Sequence, residues 1–372
     1  NIQMGSNPNT LPQISLRGTN NFPTQGGSST IPSSGADFMS AYISNPSMPL
    51  FILDGFEVSL QKIYDLDINR VASITILKDA VGTSAYGSRA SNGVIVVETI
   101  RPKEGKLQLS YTSTLQITGP DLTSYKLLNA ADKLNLEVAA GLYNDTRQNP
   151  YYQLYYDQLY SKRRADVARG VDTYWLSQPL QVGLGNKQSL YVEGGDEFIR
   201  YGVNFGYTAN RGVMKGSSRK NYEGGMLLSY RKKSLLVRNQ LNINANRADE
   251  SPWGNFADYS SLNQYWSPYD ENGRLRKIME VILIPGYGDY EDVVANPMYN
   301  ATLGTANYSK YIGFNNNTML EWRLENGLRL TGKFGISNQK DQSDLFLPAD
   351  HTAFARITDY NNPEYFNRGR YN

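Results

Sequence analysis

His351 is the only histidine in the chain, so any Ser-His-Asp arrangement would have to be built on it. It stands in Ala349-Asp350-His351-Thr352, which reads as loop. Asp54-Gly55 and Lys78-Asp79 are the other pairs that could suggest acid–base work. Their simpler reading is structural. Asp54-Gly55 is a tight-turn dipeptide, because Gly accepts positive φ at no steric cost, and Asp79 suits a helix N-cap with Lys78 as a nearby charge. There is no HExxH, no EF-hand spacing, no P-loop and no dinucleotide glycine pattern. Cysteine is absent, which removes disulfide frameworks and thiolate metal sites. The chain is therefore expected to be no enzyme, with no catalytic, cofactor-binding or metal-binding residue.

The elements that position these residues run from Pro49 to Thr99. Leu50 to Leu53 is an apolar strand ending in the Asp54-Gly55 turn. Tyr64 to Arg70 fits a short helical turn, and Val71 to Leu77 a second strand. Ala80 to Tyr86 fits about two helical turns stopped by Gly87. Gly93 to Thr99 is a β-branched strand. Residues 1 to 48 are rich in Asn, Ser, Gly, Thr and Pro, with one short strand at Ile14-Ser15-Leu16-Arg17. Arg101-Pro102-Lys103-Glu104-Gly105 breaks this α/β pattern, and the boundary between the two parts of the chain is placed there.

From Lys106 the period becomes two. Leu107, Leu109, Tyr111, Leu115 and Ile117 fall on one face, and Gln108, Ser110, Thr112, Thr114 and Gln116 on the other. The split recurs in Ile199 to Thr208, Tyr222 to Arg231, Leu235 to Ala245, Lys310 to Leu324 and Leu328 to Ser337. Strands of ten or more residues exceed the ~5–6 of soluble sheets and match the ~9–11 that span a bilayer. Apolar on one face with Arg, Glu, Gln and Asn on the other is the pattern of a membrane barrel. Connections alternate in length. The segments from Thr118 to Asn186 and from Asn246 to Ser309 are long, whereas Gly194 to Glu197, Arg231 to Lys233 and Glu325 to Gly327 are short.

Composition agrees. The 372 residues carry a net charge of +2, which gives no electrostatic case for a nucleic-acid partner. Mean hydropathy is −0.51 and no stretch approaches the ~20 apolar residues of a membrane helix, yet barrel strands escape such averages. Tyrosine is abundant, 28 against 12 phenylalanines, and a ring with a wet hydroxyl suits membrane interfaces and polar binding surfaces. In the first long connection, Leu127, Leu128, Ala131, Leu134, Val138 and Ala139 form a helical stripe, and Tyr151 to Ala168 reads as a second helix. Tyr152, Tyr155 and Tyr156, with Trp253, Tyr265 and Trp266 of the second long connection, are candidates for a ligand or partner surface. The alternative is helices capping the barrel mouth.

Leu77-Lys78-Asp79-Ala80 followed by Tyr86-Gly87-Ser88-Arg89-Ala90-Ser91-Asn92-Gly93-Val94-Ile95, with Ile14-Ser15-Leu16-Arg17-Gly18 upstream, resembles the plug domain of TonB-dependent outer-membrane transporters. The wording is similar to the SusC/RagA branch of Bacteroidetes-type bacteria. The resemblance implies an α+β plug domain over 1–104, followed over 105–372 by the first seven or eight strands of an antiparallel transmembrane β-barrel. Extracellular loops then fall at about 119–186 and 247–309. Plugged transporters have about 22 strands, so the barrel is incomplete in this chain. Asn1-Ile2-Gln3-Met4-Gly5 has neither the charged nor the apolar region of a signal peptide. A leader and the TonB-contacting segment are therefore expected upstream of Asn1.

The resemblance further implies residence in the Gram-negative outer membrane and active import of a bulky nutrient, an oligosaccharide or a peptide. Its partners would be TonB with the inner-membrane energising proteins, a SusD-like surface lipoprotein acting as a lid, and outer-membrane lipid. Arg17, Gly18, Asp54, Gly55, Lys78, Asp79, Tyr86, Gly87, Arg89, Asn92 and Gly93 are the plug-motif residues, with Arg17, Lys78, Asp79 and Arg89 meeting the barrel wall or bracing the plug internally. The rival readings are a TonB-linked signalling receptor and an adhesive or structural surface barrel.

Overall fold

The computed structural model describes residues 2–3, 9, 13–14, 48–284, 290–324 and 327–355. Arg17 and Gly18 lie outside the described residues, as does most of the Asn- and Ser-rich stretch before Met48. A two-residue antiparallel pair joins β1 (Ile2–Gln3) to β2 (Gln13–Ile14).

The first folded unit is a four-stranded sheet of β3 (Leu50–Leu53), β4 (Phe56–Val58), β5 (Val71–Leu77) and β6 (Val94–Thr99), in the order β4-β3-β6-β5. Strands β3 and β4 form a two-residue hairpin through Asp54 (φ 51°) and Gly55 (φ 89°). Positive φ at both central positions is the type I′ geometry that matches strand twist, which explains the Asp-Gly dipeptide. Strands β3 and β6 are parallel, so the chain must cross over between them. It does so through α1 (Leu60–Tyr64), a 3₁₀ turn (Ile68–Arg70), β5 and α2 (Ala80–Thr83). Phe51, Leu53, Leu60, Ile95 and Val97 form a core on one side, and Ile52, Ala90 and Val94 pack on the other. Each such side chain contributes about 1.5–3 kcal/mol on full burial, so the small sheet has an apolar core of its own.

Beyond the break the chain forms a seven-stranded antiparallel meander. Its strands are β7 (Gly105–Thr118), β8 (Gly183–Gly195), β9 (Ile199–Arg211), β10 (Ser218–Lys232), β11 (Leu235–Asp249), β14 (Ala306–Arg323) and β15 (Arg329–Phe346). Strand order is β15-β14-β11-β10-β9-β8-β7, every neighbour antiparallel. At 13 to 18 residues these strands are long even for a bilayer. The sheet does not close: β7 is exposed along its whole length, and β15 along most of it.

The faces of this sheet invert the rule for soluble proteins. Leu109, Phe205, Met226, Ile243, Phe314, Leu320 and Phe334 are exposed on one face. Asn204, Arg219, Asn221, Glu223, Gln240, Asn242, Asn244, Asn246 and Asn317 are buried on the other, where the small sheet sits. The turns between β8 and β9, β10 and β11, and β14 and β15 are short, and they share one end of the sheet. In barrels of this type short turns mark the periplasmic end and long connections the external one.

At the long-connection end two loops fold into one cap. The first contains α3 (Ala130–Ala139) and α4 (Pro150–Ala168), begun by Asn129 and Asn149, whose side chains accept from the Asp132 and Tyr151 amides. The second holds α5 (Phe256–Ser260) and the hairpin β12 (Ile278–Ile284) with β13 (Tyr290–Ala295), an element the sequence reading did not anticipate. Their common core is Ala130, Trp175, Tyr259, Tyr265, Trp266, Met279 and Met298.

The outward face yields a test. Ile243 is 47% exposed in the middle of the apolar band. Ile243→Arg should lower folding stability in lipid bilayers by about 2–4 kcal/mol, read by denaturant titration in vesicles, whereas an exposed soluble position would tolerate it within about 0.5 kcal/mol. Unchanged stability would reverse the assignment of the two faces.

Candidate functional site

The site is the boundary between the small sheet and the polar face of the meander. On the plug side it is built by the Asp54-Gly55 turn, α1 and the 3₁₀ turn. Asp54 Oδ1 accepts from the Thr99 amide at 2.8 Å, and its Oδ2 accepts from Thr99 Oγ1 at 2.7 Å and from Gln240 Nε2 on β11 at 3.0 Å. One carboxylate thus ties the hairpin, the last strand of the small sheet and the wall together. Lys333 Nζ on β15 donates to the Gly55 carbonyl at 3.3 Å. A Cβ on Gly55 would stand 2.9 Å from that nitrogen, a contact the flexible Lys333 side chain could yield, so it is the positive φ that calls for glycine here.

Charges alternate along the rest of the boundary. Lys62 Nζ donates to Asn244 Oδ1 and lies in the field of Glu223 and Asp65. Burial lowers its pKa, with those two carboxylates pulling against the shift. Asp65 receives both Arg219 Nη2, at 2.9 Å, and the Tyr311 hydroxyl. The Asp65 and Arg219 side chains are 3% and 7% exposed, so this is a buried pair. Asp67 caps the 3₁₀ turn through the Asn69 amide and receives Lys187 Nζ at 2.6 Å and Ser189 Oγ on β8. Arg70 lays its guanidinium on the Tyr191 ring, 3.6 Å from the centroid, a cation–π contact. Burial alone would raise the Asp67 carboxyl, but hydrogen bonds from Lys187, Ser189 and the Asn69 amide outweigh it and hold its pKa below the usual value. A cavity of about 10 Å³ lies in this boundary, lined by Arg70, Asn204, Glu223, Gln240 and Asn242 among others, near the size of one water.

Asp54 and Gly55 are thus motif residues at the wall; the other described motif residues lie elsewhere on the plug. Arg89 pairs with Glu57 of β4 at 2.5 Å, in the open, with its side chain 71% exposed. Tyr86 packs on the Ile52, Ala90 and Val94 cluster. Gly87 (φ 72°) and Gly93 (φ 97°) turn the chain, the Gly93 carbonyl accepts from the Leu50 amide at 3.0 Å, and Asn92 Nδ2 donates to the Met48 carbonyl at 3.3 Å. Lys78 and Asp79 are exposed, and the Asp79 carbonyl accepts from the Thr83 amide at 3.0 Å as α2 opens. These contacts brace the plug sheet and its crossover. Asp54, Lys62, Asp65, Asp67 and Arg70 meet the wall. Of these the sequence reading singled out only Asp54, as a turn; the alternation of charge in Lys62, Asp65, Asp67 and Arg70 was the available signal.

The cap corrects another expectation. Tyr265 and Trp266 are 1% and 9% exposed, so they are core of the cap and offer no surface to a ligand. Tyr265 donates to Glu137, and Trp266 Nε1 donates to Glu280 Oε2 at 2.9 Å. Arg163 joins the two loops: its Nη2 stands 2.6 Å from Glu280 and its Nη1 3.5 Å from Glu137. Burial alone would lower the Arg163 pKa, but the hydrogen bonds it donates to Glu280 outweigh that and keep the guanidinium charged. Trp253 packs on the same core with Lys215 Nζ 4.5 Å from its ring centroid. Tyr152, Tyr155 and Tyr156 are half-buried on α4; Arg147 lies over the Tyr152 ring, and Tyr155 binds the Leu283 amide at 2.8 Å. His351 accepts from the Ala353 amide and begins a 3₁₀ turn, a structural role.

An open antiparallel wall, apolar outward and polar inward around a small α+β domain, defines part of a plugged outer-membrane β-barrel. No protein-family model matches the chain. It is 26% identical over 189 residues to the TonB-dependent receptor SusC of Bacteroides thetaiotaomicron, covering 49% of this chain and 17% of that protein. It is 26% identical over 191 residues to the TonB-dependent receptor P39 of Formosa agariphila, covering 50% of this chain and 16% of that one. The chain thus matches only a minor part of these relatives' length. In fold it resembles the RagAB peptide transporter, with a TM-score of 0.65 at 19% identity over 82% of this chain and 36% of the solved one. It also resembles the RagAB peptide importer in its open-open state, with a TM-score of 0.61 at 21% identity and the same coverage. The chain is SusC/RagA-like, in sequence over half its length and in fold over most of it.

Two outcomes follow from the ion pairs. Asp67, with its depressed pKa, strengthens plug seating above the unfolded-state value near pH 4, and that contribution is lost as pH falls through the lower folded-state value. Hydrogen exchange of α1 and the 3₁₀ turn should rise on acidification in the native protein, and Asp67→Asn should start higher and respond less; identical pH profiles would remove Asp67 from the seating. In the cap, Glu280→Ala leaves Arg163 buried with one carboxylate and should cost about 3–5 kcal/mol of cap stability. Limited chymotrypsin digestion should open α4 while β7 to β11 stay intact, and unchanged cleavage of α4 would count against the pair as the tie between the loops.

Proposed function

We propose that this chain supplies the plug and the first barrel strands of a TonB-dependent importer in the bacterial outer membrane, and that residues 1–104 and 105–372 divide these roles. The observation that carries the reading is the chemistry of the boundary. The plug has its own apolar core, and it meets the wall through carboxylates, cations and amides. Contacts of this kind can be exchanged for water when the plug is pulled, with no apolar surface exposed by the movement. TonB, driven by the inner-membrane energising proteins, is the agent that pulls.

The cargo is a bulky solute, an oligosaccharide or a peptide, held by the external loops and the plug top. A SusD-like surface lipoprotein closes over the cap. The plug-motif residues Arg17, Gly18, Lys78, Asp79, Tyr86, Gly87, Arg89, Asn92 and Gly93 keep the plug sheet intact while it is remodelled. Tyr152, Tyr155, Tyr156 and Trp253, half-buried on the cap, are the groups offered to ligand or lid. The similarity to SusC and to the RagAB fold supports the class.

The test is recovery of the tagged full-length protein from its native outer membrane in gentle detergent, with the bound molecules identified by mass spectrometry. A surface lipoprotein with oligosaccharide or peptide should co-purify, and deletion of TonB should abolish uptake of that cargo while leaving surface binding within about twofold. Recovery of the barrel alone, or uptake that survives without TonB, would defeat the reading and leave the fold.

A further inference from the structure

The outward face carries a feature that a lipid-facing wall should not have. Near the external ends of the strands, Lys220 of β10, Arg247 of β11 and Lys310 of β14 stand directly opposite one another in the register, with Gln342 of β15 next in the same row. Lys340 faces Ile312 one outward position lower on the strand. All share the face of Tyr222, Ile243, Ile312 and Phe314, which are exposed. Like charges directly opposite across strands repel. Arg247 is held by Asp249 at 2.9 Å, and Asp344 accepts from Gln342 Nε2 at 2.8 Å. Among the described residues no carboxylate lies within ion-pair distance of Lys220, Lys310 or Lys340, so the patch keeps a surplus of positive charge.

The patch is concave and sits at a definite height. Tyr222, Ala245, Arg247, Lys310, Ile312, Lys340 and Gln342 line a depression of about 400 Å³. Tyr222 stacks with Tyr207 of β9, ring centroids 5.0 Å apart, as an aromatic pair at the upper edge of the apolar band. Tyr230 lies near the other edge. The strand between Tyr222 and Tyr230 is about 27 Å long, which a tilt of ~35–45° converts to about 20 Å of height, close to the ~25 Å band of such barrels. Lys220, Arg247 and Lys310 stand about 7 Å of strand beyond Tyr222 and Ala245, at the level of head groups on the external side, and Lys340 stands level with Tyr222 at the top of the apolar band.

The geometry points to a binding site for the phosphorylated head group of a lipid in the outer leaflet of the outer membrane. Lys220, Lys310 and Lys340 meet phosphate, while Tyr222 and Ile312 pack against the first carbons of the acyl chains. A phosphate dianion between opposed strands relieves the repulsion that the register imposes, and ammonium groups suit it as point charges. The site rests on the outer-membrane reading and its orientation, but not on import or on any cargo.

The experiment compares the full-length protein with K220Q/K310Q/K340Q, both extracted from outer membranes in mild detergent, by native mass spectrometry for bound phosphorylated lipid. The native protein should retain such lipid and the triple variant at least tenfold less. K232Q/K233Q, which removes charge at the opposite rim, should retain as much as the native protein and serves as the folding and charge control. Micelles of purified phosphorylated outer-leaflet lipid should raise the thermal midpoint of the native protein, whereas the dephosphorylated lipid and inorganic phosphate alone should not. Equal retention by the triple variant, or an equal shift with dephosphorylated lipid, would overturn the site and leave the importer reading intact. A shift with inorganic phosphate alone would make it a free-anion site and overturn the lipid assignment. Native protein absent from the outer-membrane fraction would overturn both.

Discussion

Lipid outside the wall dictates where polarity can go. A strand crossing a bilayer must close every backbone hydrogen bond within the ladder and turn its apolar side chains outward, so the inner face is the only place left for polar ones. The buried asparagines of β10 and β11 and the exposed Ile243, Phe314 and Phe334 are two consequences of that one requirement. A domain housed against the inner face cannot borrow an apolar surface from it. The plug sheet must therefore bring its own core, and it does so with Phe51, Leu53, Leu60, Ile95 and Val97. What remains for holding the plug in place is hydrogen bonds and ion pairs, and these are what the boundary contains.

Such a boundary is specific and releasable at once. A buried ion pair such as Asp65 with Arg219 adds little net stability over an apolar pair, yet removing one partner alone is strongly destabilising. The wrong docking is therefore penalised more heavily than the right docking is favoured. Both partners can be hydrated when they part together, which an apolar interface does not allow without exposing its surface.

Much of the fold is legible in the sequence because its signals are local. The period of two from Leu107 to Ile117, the Asp54-Gly55 turn and the Gly87 and Gly93 stops each need only a few residues to declare themselves. The wall contacts are not local. Lys62 meets a residue 182 positions away and Asp65 one 246 positions away, and no short-range pattern marks them as partners. The cap misleads for a different reason. Tyr265 and Trp266 sit in a long polar connection, where aromatic residues read as a surface; only the packing of two loops against each other turns them inward. Arg163 stands in a run of basic residues, Lys162-Arg163-Arg164, and its partner is Glu280 of β12, 117 residues distant.

Cap and plug are joined through the ends of the same strands. Lys215, in the turn before β10, is held from the cap side on several fronts: its amide bonds the Pro179 carbonyl, its Nζ the Gln178 carbonyl, and its own carbonyl accepts from Ser251 Oγ. Arg219 follows four residues later and holds Asp65 of the plug. Between them lie the turn residues Gly216 and Ser217 and the first residue of β10, Ser218, from which the strand is paired on both sides. Its register can shift only in steps of two residues if Arg219 is to remain on the inner face. Any rearrangement of the cap that displaces the β9–β10 turn is thus confined to small rigid movements, and those movements carry Arg219 relative to Asp65. Lys215, tied to the cap, and Arg219, which holds the plug, are thus four residues apart along the chain.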